Sequence, residues 1–166
     1  RYYDVTKGSV KVDGVDVRDM TQKELRDKLG YVPQKGVLFS GTIDSNIRYG
    51  KPEITDAQVK EAAEVAQATE FIDTKPEKYE SPVSQGGTNV SGGQKQRLSI
   101  ARAIAKDPEI FIFDDSFSAL DFKTDSQLRK ALKEYTKDAT TVIVAQRIST
   151  ILGADQIIVL DDGHMA

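Results

Sequence analysis

The spacing of apolar residues along the chain changes several times, and each change predicts a different element. Valines alternate with polar residues over positions 10–17 around the pair Asp13-Gly14, which predicts a small antiparallel hairpin. Thr21 and Glu24 then have the spacing of a capping box, so a short helix is predicted to about Leu29, where Gly30 stops it. A short strand at residues 31–33 should follow.

Helical periodicity dominates the middle of the chain. A second capping box at residues 55–58 predicts a helix that continues to about Glu70, with small apolar residues on one face. A third, Ser91-Gly92-Gly93-Gln94, predicts another helix to about Lys106. This stretch is therefore expected to be helical.

After residue 108 the apolar residues form solid runs without alternation, at positions 110–113, 142–144 and 157–160. Such runs are typical of strands that are covered on both faces. Between the first two runs lies a helical pattern over residues 122–135, capped by Asp121. Alternating strands and helices predict an α/β fold with a parallel sheet and right-handed crossovers.

Composition and charge exclude several classes. The chain has 166 residues, a formal charge of -3 and no cysteine, which excludes disulfides and cysteine-based metal sites. This acidic balance disfavours nucleic acid as a partner, and His164, the only histidine, makes a poor metal site. The longest apolar runs have four residues, against the roughly 20 needed to cross a bilayer. Because no Met begins the chain, we expect it to be a piece of a longer protein.

Two acids, Asp114-Asp115, follow the apolar run at 110–113. Ligands of open α/β sheets bind at the carboxyl ends of the strands, so these carboxylates are candidates for holding Mg²⁺. A strand that ends in Asp-Asp is also common at an ordinary turn, and the pair alone does not decide between these readings.

The start of the third predicted helix is the second candidate. At Ser91-Gly92-Gly93-Gln94, backbone amides at the positive end of the helix dipole can approach an anionic phosphate without side chains in the way. The same four residues in isolation are equally a well-capped helix and nothing more.

Taken together, these motifs resemble those of the nucleotide-binding domain of ATP-binding cassette (ABC) transporters. The string Ser91-Gly92-Gly93-Gln94 resembles the family's signature motif, Gln34 its Q-loop, Asp114 its Walker B aspartate and Asp121 its D-loop. Residues 39–43 with 46–47 are similar to the exporter subgroup. The resemblance covers nearly the whole chain in register.

The resemblance implies a fold and a set of partners. The expected fold is an incomplete P-loop NTPase-like parallel sheet core, residues 1–40 and 107–166, with an N-terminal antiparallel element and a helical subdomain inserted at 41–106. The cofactors would be ATP and Mg²⁺, with Asp114 and Gln34 at the metal, Asp115, Gln146 and Gln34 at the reacting water, and the signature residues and Asp121 at nucleotide. A second nucleotide-binding domain and transmembrane domains, contacted through the Q-loop and the X-loop around Gln85, would be partners at the cytoplasmic face of the membrane.

Two parts of the family pattern are altered or missing. No Gly-x-x-x-x-Gly-Lys-Ser/Thr phosphate loop occurs; in the family it lies just upstream, and residues 1–4 resemble the end of the helix that follows it. The isolated chain is therefore expected to bind ATP very weakly and to be inactive. Asp115 stands where the family has a catalytic glutamate, and Gln146 where it has a histidine, so the site on this chain is expected to be impaired.

In the family, each ATP lies between the Walker motifs of one domain and the signature motif of the other. An impaired site with an intact signature motif resembles one half of a heterodimeric exporter with a non-identical partner. The alternative is a regulatory half that clamps ATP without turnover. Soluble cassette ATPases of DNA repair or translation are disfavoured by the exporter-like segment and the lack of basic patches.

Overall fold

The chain opens with a hairpin of two-residue strands. A computed structural model describes residues 3–166 of the protein, in which β1 (Lys11–Val12) pairs antiparallel with β2 (Val15–Asp16). Asp13 and Gly14 between them have φ of 52° and 80°, the left-handed geometry that a tight hairpin turn requires. The predicted hairpin is confirmed. The expectation that residues 1–4 end a helix concerns Arg1 and Tyr2, which lie outside the described residues; residues 3–5 carry no helix.

A three-stranded parallel sheet forms the centre of the α/β fold. It has the order β3 (Leu29–Val32), β6 (Ile110–Asp114) and β7 (Thr140–Val144). The helix α1 (Gln22–Lys28) leads directly into β3. Gly30 lies inside β3 and does not end α1, because Leu29 already has the extended backbone of the strand. A side chain at Gly30 would clash with Pro108, so this glycine serves close packing.

Helices fill the middle of the chain, joined to one short antiparallel pair. The pair is β4 (Gly41–Thr42) with β5 (Pro82–Val83), and two 3-10 turns lie at Lys78–Glu80 and Gln85–Gly87. The helices are α2 (Ile43–Ile47), α3 (Asp56–Val65), α4 (Thr69–Asp73) and α5 (Gly92–Ala105).

The single helix predicted from residue 55 to about Glu70 is wrong. It breaks after α3 because Gln67 takes a left-handed φ of 55°, and α4 begins two residues later. Arg97 on α5 donates a hydrogen bond of 2.7 Å to the carbonyl oxygen of Gln67, so a tertiary contact takes up a carbonyl that is freed at the break.

The core lies between one face of the sheet and the helices. Phe111 and Phe113 of β6 are almost fully buried and pack with Phe117, while Leu98 and Ile104 of α5 are equally buried. The helix α6 (Phe122–Tyr135), which has the predicted bounds, buries Leu128 and Leu132 on the same core.

The end of the chain differs from the prediction. The helix α7 (Ile148–Ile151) follows β7, but residues 157–159 form no strand, and β8 (Leu160–Asp161) pairs only with β9 (His164–Met165). Asp162 and Gly163 both have positive φ, so a tight turn folds the chain back locally and pairs β8 with β9.

Coverage of the sheet is also one-sided. Val142 and Val144 of β7 are about half exposed, 46% and 52%, so the expectation that this run is covered on both faces is wrong for residues 3–166. Within the same residues, no helix is both long enough and apolar enough to cross a membrane.

Candidate functional site

Four of the predicted site residues meet at one edge of the sheet. Gln34 follows β3, Asp114 and Asp115 end and follow β6, and Gln146 follows β7. Parallel strands in register bring their carboxyl ends to the same edge, and the pairs Val32 with Phe113 and Asp114 with Val144 set that register. Three segments that are distant in sequence therefore supply one cluster of polar side chains.

Asp115 lies at the centre of this cluster. Its Oδ2 accepts hydrogen bonds from the amide nitrogens of Gln34, at 3.2 Å, and Gln146, at 3.4 Å. Its backbone nitrogen donates to the carbonyl of Val144 at 2.9 Å, and its φ of 45° turns the chain sharply away from β6. The two amides fix the carboxylate orientation, and the turn directs it out of the strand.

Asp114 has a different partner. The hydroxyl of Tyr31 donates to Asp114 Oδ2 at 3.0 Å, across the β3–β6 pair in which Tyr31 lies beside Ile112. The loop after Asp115 is anchored beneath the site, because the buried Ser116 hydroxyl donates to the Val32 carbonyl at 2.8 Å. Sequence reasoning missed Tyr31. Its signal was a tyrosine one position before the end of β3, whose partner in the register, Ile112, lies two residues before Asp114.

The donor atoms suit a hard cation only in part. The carboxylates of Asp114 and Asp115 and the amide oxygen of Gln34 are the oxygen ligands that Mg²⁺ prefers. Among residues 3–166, however, no group of three or more His, Cys, Asp or Glu side chains is placed to hold a metal ion. The residues fit Mg²⁺ that keeps waters or phosphate oxygens as its other ligands, which is its usual mode.

The start of α5 forms a second group. The Ser91 hydroxyl accepts from the Gln94 amide at 3.2 Å, and the Gln94 side chain accepts from the Ser91 amide at 3.1 Å, which completes the capping box. Ser91 and Gly92 are exposed, and a Cβ on Gly92 would meet no atom within 4 Å. The Gln94 amide is thus already bonded within the cap, while the amides of Gly92 and Gly93 remain at an open helix start.

The segment 118–121 lies beside this helix start. A Cβ on Gly93 would come within 3.4 Å of the Ala119 carbonyl, so the glycine allows a close approach of the two backbones. Asp121 caps α6, accepting from the Thr124 amide at 2.9 Å and its hydroxyl at 2.7 Å. These hydrogen bonds hold the pKa of Asp121 below its usual value, so its charge is stabilised here.

A buried glutamine joins α5 to the loop that carries Gln34. Gln96 is 2% exposed; its side-chain oxygen accepts from the Gly36 amide at 3.0 Å, and its nitrogen donates to the Pro33 carbonyl at 3.1 Å. The predicted X-loop lies nearby, because the Gly86 amide donates to the Leu38 carbonyl at 3.1 Å, while Gln85 itself is exposed. Sequence reasoning missed Gln96, whose only signal was an amide among the apolar positions of the helix.

The fold and the site together define a class: an α/β nucleotide-binding domain with an acidic sheet edge and a glycine-led helix start. The sequence profile that describes the ABC transporter family matches residues 1–118. The chain belongs to the ABC transporter family.

Proteins of high similarity are named for export. The chain is 46% identical over 165 residues to multidrug export ATP-binding/permease proteins of Staphylococcus aureus, strains NCTC 8325 and COL among them. The match covers 99% of this chain and 28% of each of these relatives. A solved structure of a bacterial Atm1-family ABC exporter with ATP bound is 42% identical, with a TM-score of 0.96, and matches 100% of this chain and 29% of that one. This chain therefore spans just over a quarter of the length of these proteins.

Proposed function

We propose that this chain is the nucleotide-binding part of an ABC exporter, in which ATP binding and hydrolysis drive transport across a membrane. The observation that carries the proposal is the cluster of Gln34, Asp114, Asp115 and Gln146 at one sheet edge. The names of the relatives, which join ATP binding to a permease, support it.

Each residue of the cluster has a separate task in this proposal. Mg²⁺, when bound with ATP, offsets the charge of the phosphates. Asp114, oriented by Tyr31, and Gln34 would hold the ion. Asp115 would orient the attacking water and accept its proton, while Gln146 would donate a hydrogen bond toward the phosphate.

The other face of the nucleotide would be met by a second domain. Gly92 and Gly93, at the open start of α5, would contact ATP held by that partner, with Asp121 beside them. The residues that cradle the phosphates of this chain's own ATP are proposed to lie in the rest of the longer polypeptide, so the 166 residues alone should bind ATP weakly. Micromolar affinity in calorimetry would contradict this.

We further propose that the site on this chain is impaired and that the partner domain is not identical. Asp115 has a carboxylate one methylene shorter than the family's glutamate, and Gln146 cannot titrate near neutral pH as a histidine does. The intact Ser91-Gly92-Gly93 would complete the partner's site, so the two sites of the pair would differ. In the alternative, this half clamps ATP without turnover; single-turnover hydrolysis with the partner's catalytic glutamate removed separates the two.

We propose that the chain is divided into subdomains, and placed at the membrane, as in other members of the family. Residues 1–40 and 107–166 would form the α/β core, and 41–106 the helical subdomain. The loop with Gln34 and the turn with Gln85, joined through Gly86 and Leu38, would contact transmembrane domains at the cytoplasmic face of the membrane. Partners would be these domains and a second nucleotide-binding domain, and not nucleic acid.

The test uses the complete transporter that contains this chain, with photoreactive ATP. The wild-type protein should hydrolyse ATP and show Mg²⁺-dependent labelling of this chain. Asp114→Asn should lower that labelling at least about 100-fold, the upper end of the loss seen when even an outer-shell metal partner is removed. Asp138→Asn, an exposed acid between α6 and β7, is the matched control and should change little. Labelling that does not depend on Asp114 would contradict the proposed role.

A further inference from the structure

A partly buried guanidinium group without an acidic partner lies between α5 and the segment that follows Gln34. Arg102, near the end of α5, donates from Nε to the Asn46 carbonyl at 2.8 Å, from Nη2 to Asn46 Oδ1 at 2.9 Å and from Nη1 to the Val37 carbonyl at 2.9 Å. Among residues 3–166 it forms no ion pair with a carboxylate. Backbone and amide oxygens therefore compensate its charge.

Two aromatic rings supply the rest of its surroundings. Phe39 and Tyr49 stack with their ring centroids 4.2 Å apart, and the guanidinium carbon of Arg102 lies 5.2 Å and 5.4 Å from the two centroids. Both distances are in the cation–π range. Tyr49 is 56% exposed, so one side of this aromatic pair faces out of the molecule while Arg102 lies beneath it.

Asn46 makes the segment rigid at this point. It is 1% exposed, and its side chain accepts from the Phe39 amide at 2.9 Å and donates to the carbonyls of Phe39, at 2.8 Å, and Thr42, at 2.9 Å. Backbone groups of Val37, Phe39 and Thr42 thus bond to Asn46 or Arg102. Movement of the Phe39 backbone would break these hydrogen bonds unless Asn46 moved with it, and movement of either ring would change its contact with the guanidinium.

Gln96 makes a second connection on the same helix. It holds Pro33 and Gly36, and a Cβ on Gly36 would lie 2.8 Å from Ser99 Oγ, so the loop backbone is pressed against α5. Gln96 and Arg102 are separated by about 9 Å along the helix axis. Residues 33–49 are therefore attached to α5 at two levels and should move with it as one body.

We propose that Arg102 is a positioning residue, which transmits a displacement of the Phe39–Tyr49 pair, in which Tyr49 is exposed, to the glycine-led start of α5. The start lies about 16 Å along the helix from Arg102, a distance that a continuous helix spans without bending. This inference deepens the proposed function and rests on it: the contact that displaces the pair is with the transmembrane part of the exporter. Arg102 would thus link transmembrane contacts to the helix start that meets the partner's ATP.

The chain provides a matched control on the same helix. Arg97 is also partly buried, donates to a backbone carbonyl, that of Gln67, at 2.7 Å, and lies 4.8 Å from the centroid of Phe71. Like Arg102 it combines a backbone carbonyl with an aromatic ring, but it joins α5 to the α3–α4 break instead of residues 37–49. A generally structural role of the partly buried arginines in α5 predicts the same behaviour for both.

The experiment measures amide hydrogen exchange by mass spectrometry on the complete transporter in lipid nanodiscs. Tyr49→Ala is made in the wild-type, Arg102→Gln, Arg102→Lys and Arg97→Gln backgrounds, and exchange is followed at residues 91–98. In the wild type and in Arg97→Gln, Tyr49→Ala should raise exchange there roughly two- to fivefold, the factor that loss of one cation–π contact allows. In the Arg102→Gln background, Tyr49→Ala should cause no further change in exchange. In the Arg102→Lys background, which keeps the charge but not the planar guanidinium group, the increase should be smaller than in the wild type.

Each outcome decides the inference. The inference is overturned if Tyr49→Ala raises exchange at residues 91–98 equally with and without Arg102, or does not raise it in the wild type. If Arg102→Gln does not fold, the inference is overturned when Tyr49→Ala raises exchange in Arg102→Lys as much as in the wild type. A loss of response in Arg97→Gln as well would reduce Arg102 to general structural support. ATP hydrolysis is measured on the same samples: a transporter that hydrolyses no ATP contradicts the proposed function, while the exchange comparison still tests Arg102.

Discussion

Replacing Asp115 by Glu and Gln146 by His together should raise ATP hydrolysis at this chain's site in the complete transporter. The change gives the carboxylate one more methylene, about 1.5 Å of reach, and gives its neighbour a group that titrates near neutral pH. A well-placed general base contributes about 100- to 10,000-fold to a rate, or about 3 to 5 kcal/mol of barrier. An increase within that range is the expected result.

The structure predicts that neither single substitution suffices. Asp115 Oδ2 now accepts from both Gln34 and Gln146, and Glu at this position would push its carboxylate past these amides. Removing Gln146 alone leaves Asp115 with one amide partner and the same short reach. The effect of the double variant should therefore exceed the product of the two single effects, since the two residues are hydrogen-bonded to each other.

The backbone conformation at residue 115 should make the Asp115→Glu substitution destabilising. Its φ of 45° is a left-handed conformation that Asp tolerates better than Glu. We expect Asp115→Glu to lower the free energy of unfolding by about 1 kcal/mol, the lower end of the left-handed penalty. Thermal unfolding of the same preparations measures this loss, so that a fall in rate through instability is recognised.

The assay is single-turnover ATP hydrolysis with the partner's catalytic glutamate replaced, so that only this chain's site contributes. The pair Asp115→Asn with Gln146→His is the control, because it has the histidine without a base. The rate of the double variant should also change with pH near 6.5, the ordinary pKa of histidine, and the wild-type rate should not. A double variant no faster than the wild type would refute the assignment of Asp115 as the weakened base.

Three further substitutions test the packing and the caps in the complete transporter. Gly36→Ala should destabilise the loop after Gln34 by about 1 to 3 kcal/mol, because its Cβ would overlap Ser99, and proteolysis of that loop measures it. Asn46→Ala should cost about 2 kcal/mol or more, since it leaves buried groups of residues 39–42 unpaired, which lowers the melting temperature. Because the pKa of Asp121 is lowered in the folded protein, the stabilisation of α6 by its carboxylate is complete above the ordinary pKa of 3.8 and is lost as the pH falls through the folded pKa. Asp121→Asn should remove this pH dependence from amide exchange in the first turn of α6.

Local signals in the sequence predicted the helix starts correctly. Thr21, Thr55 and Ser91 each accept the hydrogen bond that a capping box requires, from an amide three residues later. Such a bond depends only on a few neighbouring residues, so the sequence contains all the information it needs. The hairpin turn at Asp13-Gly14 was predictable for the same reason.

Features that depend on distant contacts were not predictable from periodicity. The break at Gln67 places its carbonyl against Arg97, 30 residues later, and nothing in the apolar spacing of residues 55–70 indicates that contact. The run at 157–160 has the composition of a buried strand, yet the turn at Asp162-Gly163 pairs its end with β9 instead. The apolar composition of this run is that of a buried strand, but it does not identify the neighbour with which the segment pairs.

The start of α5 and the cluster at Asp115 depend on different kinds of structure, one local and one tertiary. Substitutions in one group can therefore leave the other unchanged. The start of α5 is made by four consecutive residues and a local capping box, so its cap is formed without any side chain of the sheet edge. The cluster at Asp115 needs three strand ends in register, and each side chain there is replaceable without changing the helix start. An ABC domain that meets its partner's nucleotide with one group and its own with the other can therefore lose catalytic efficiency at its own site alone.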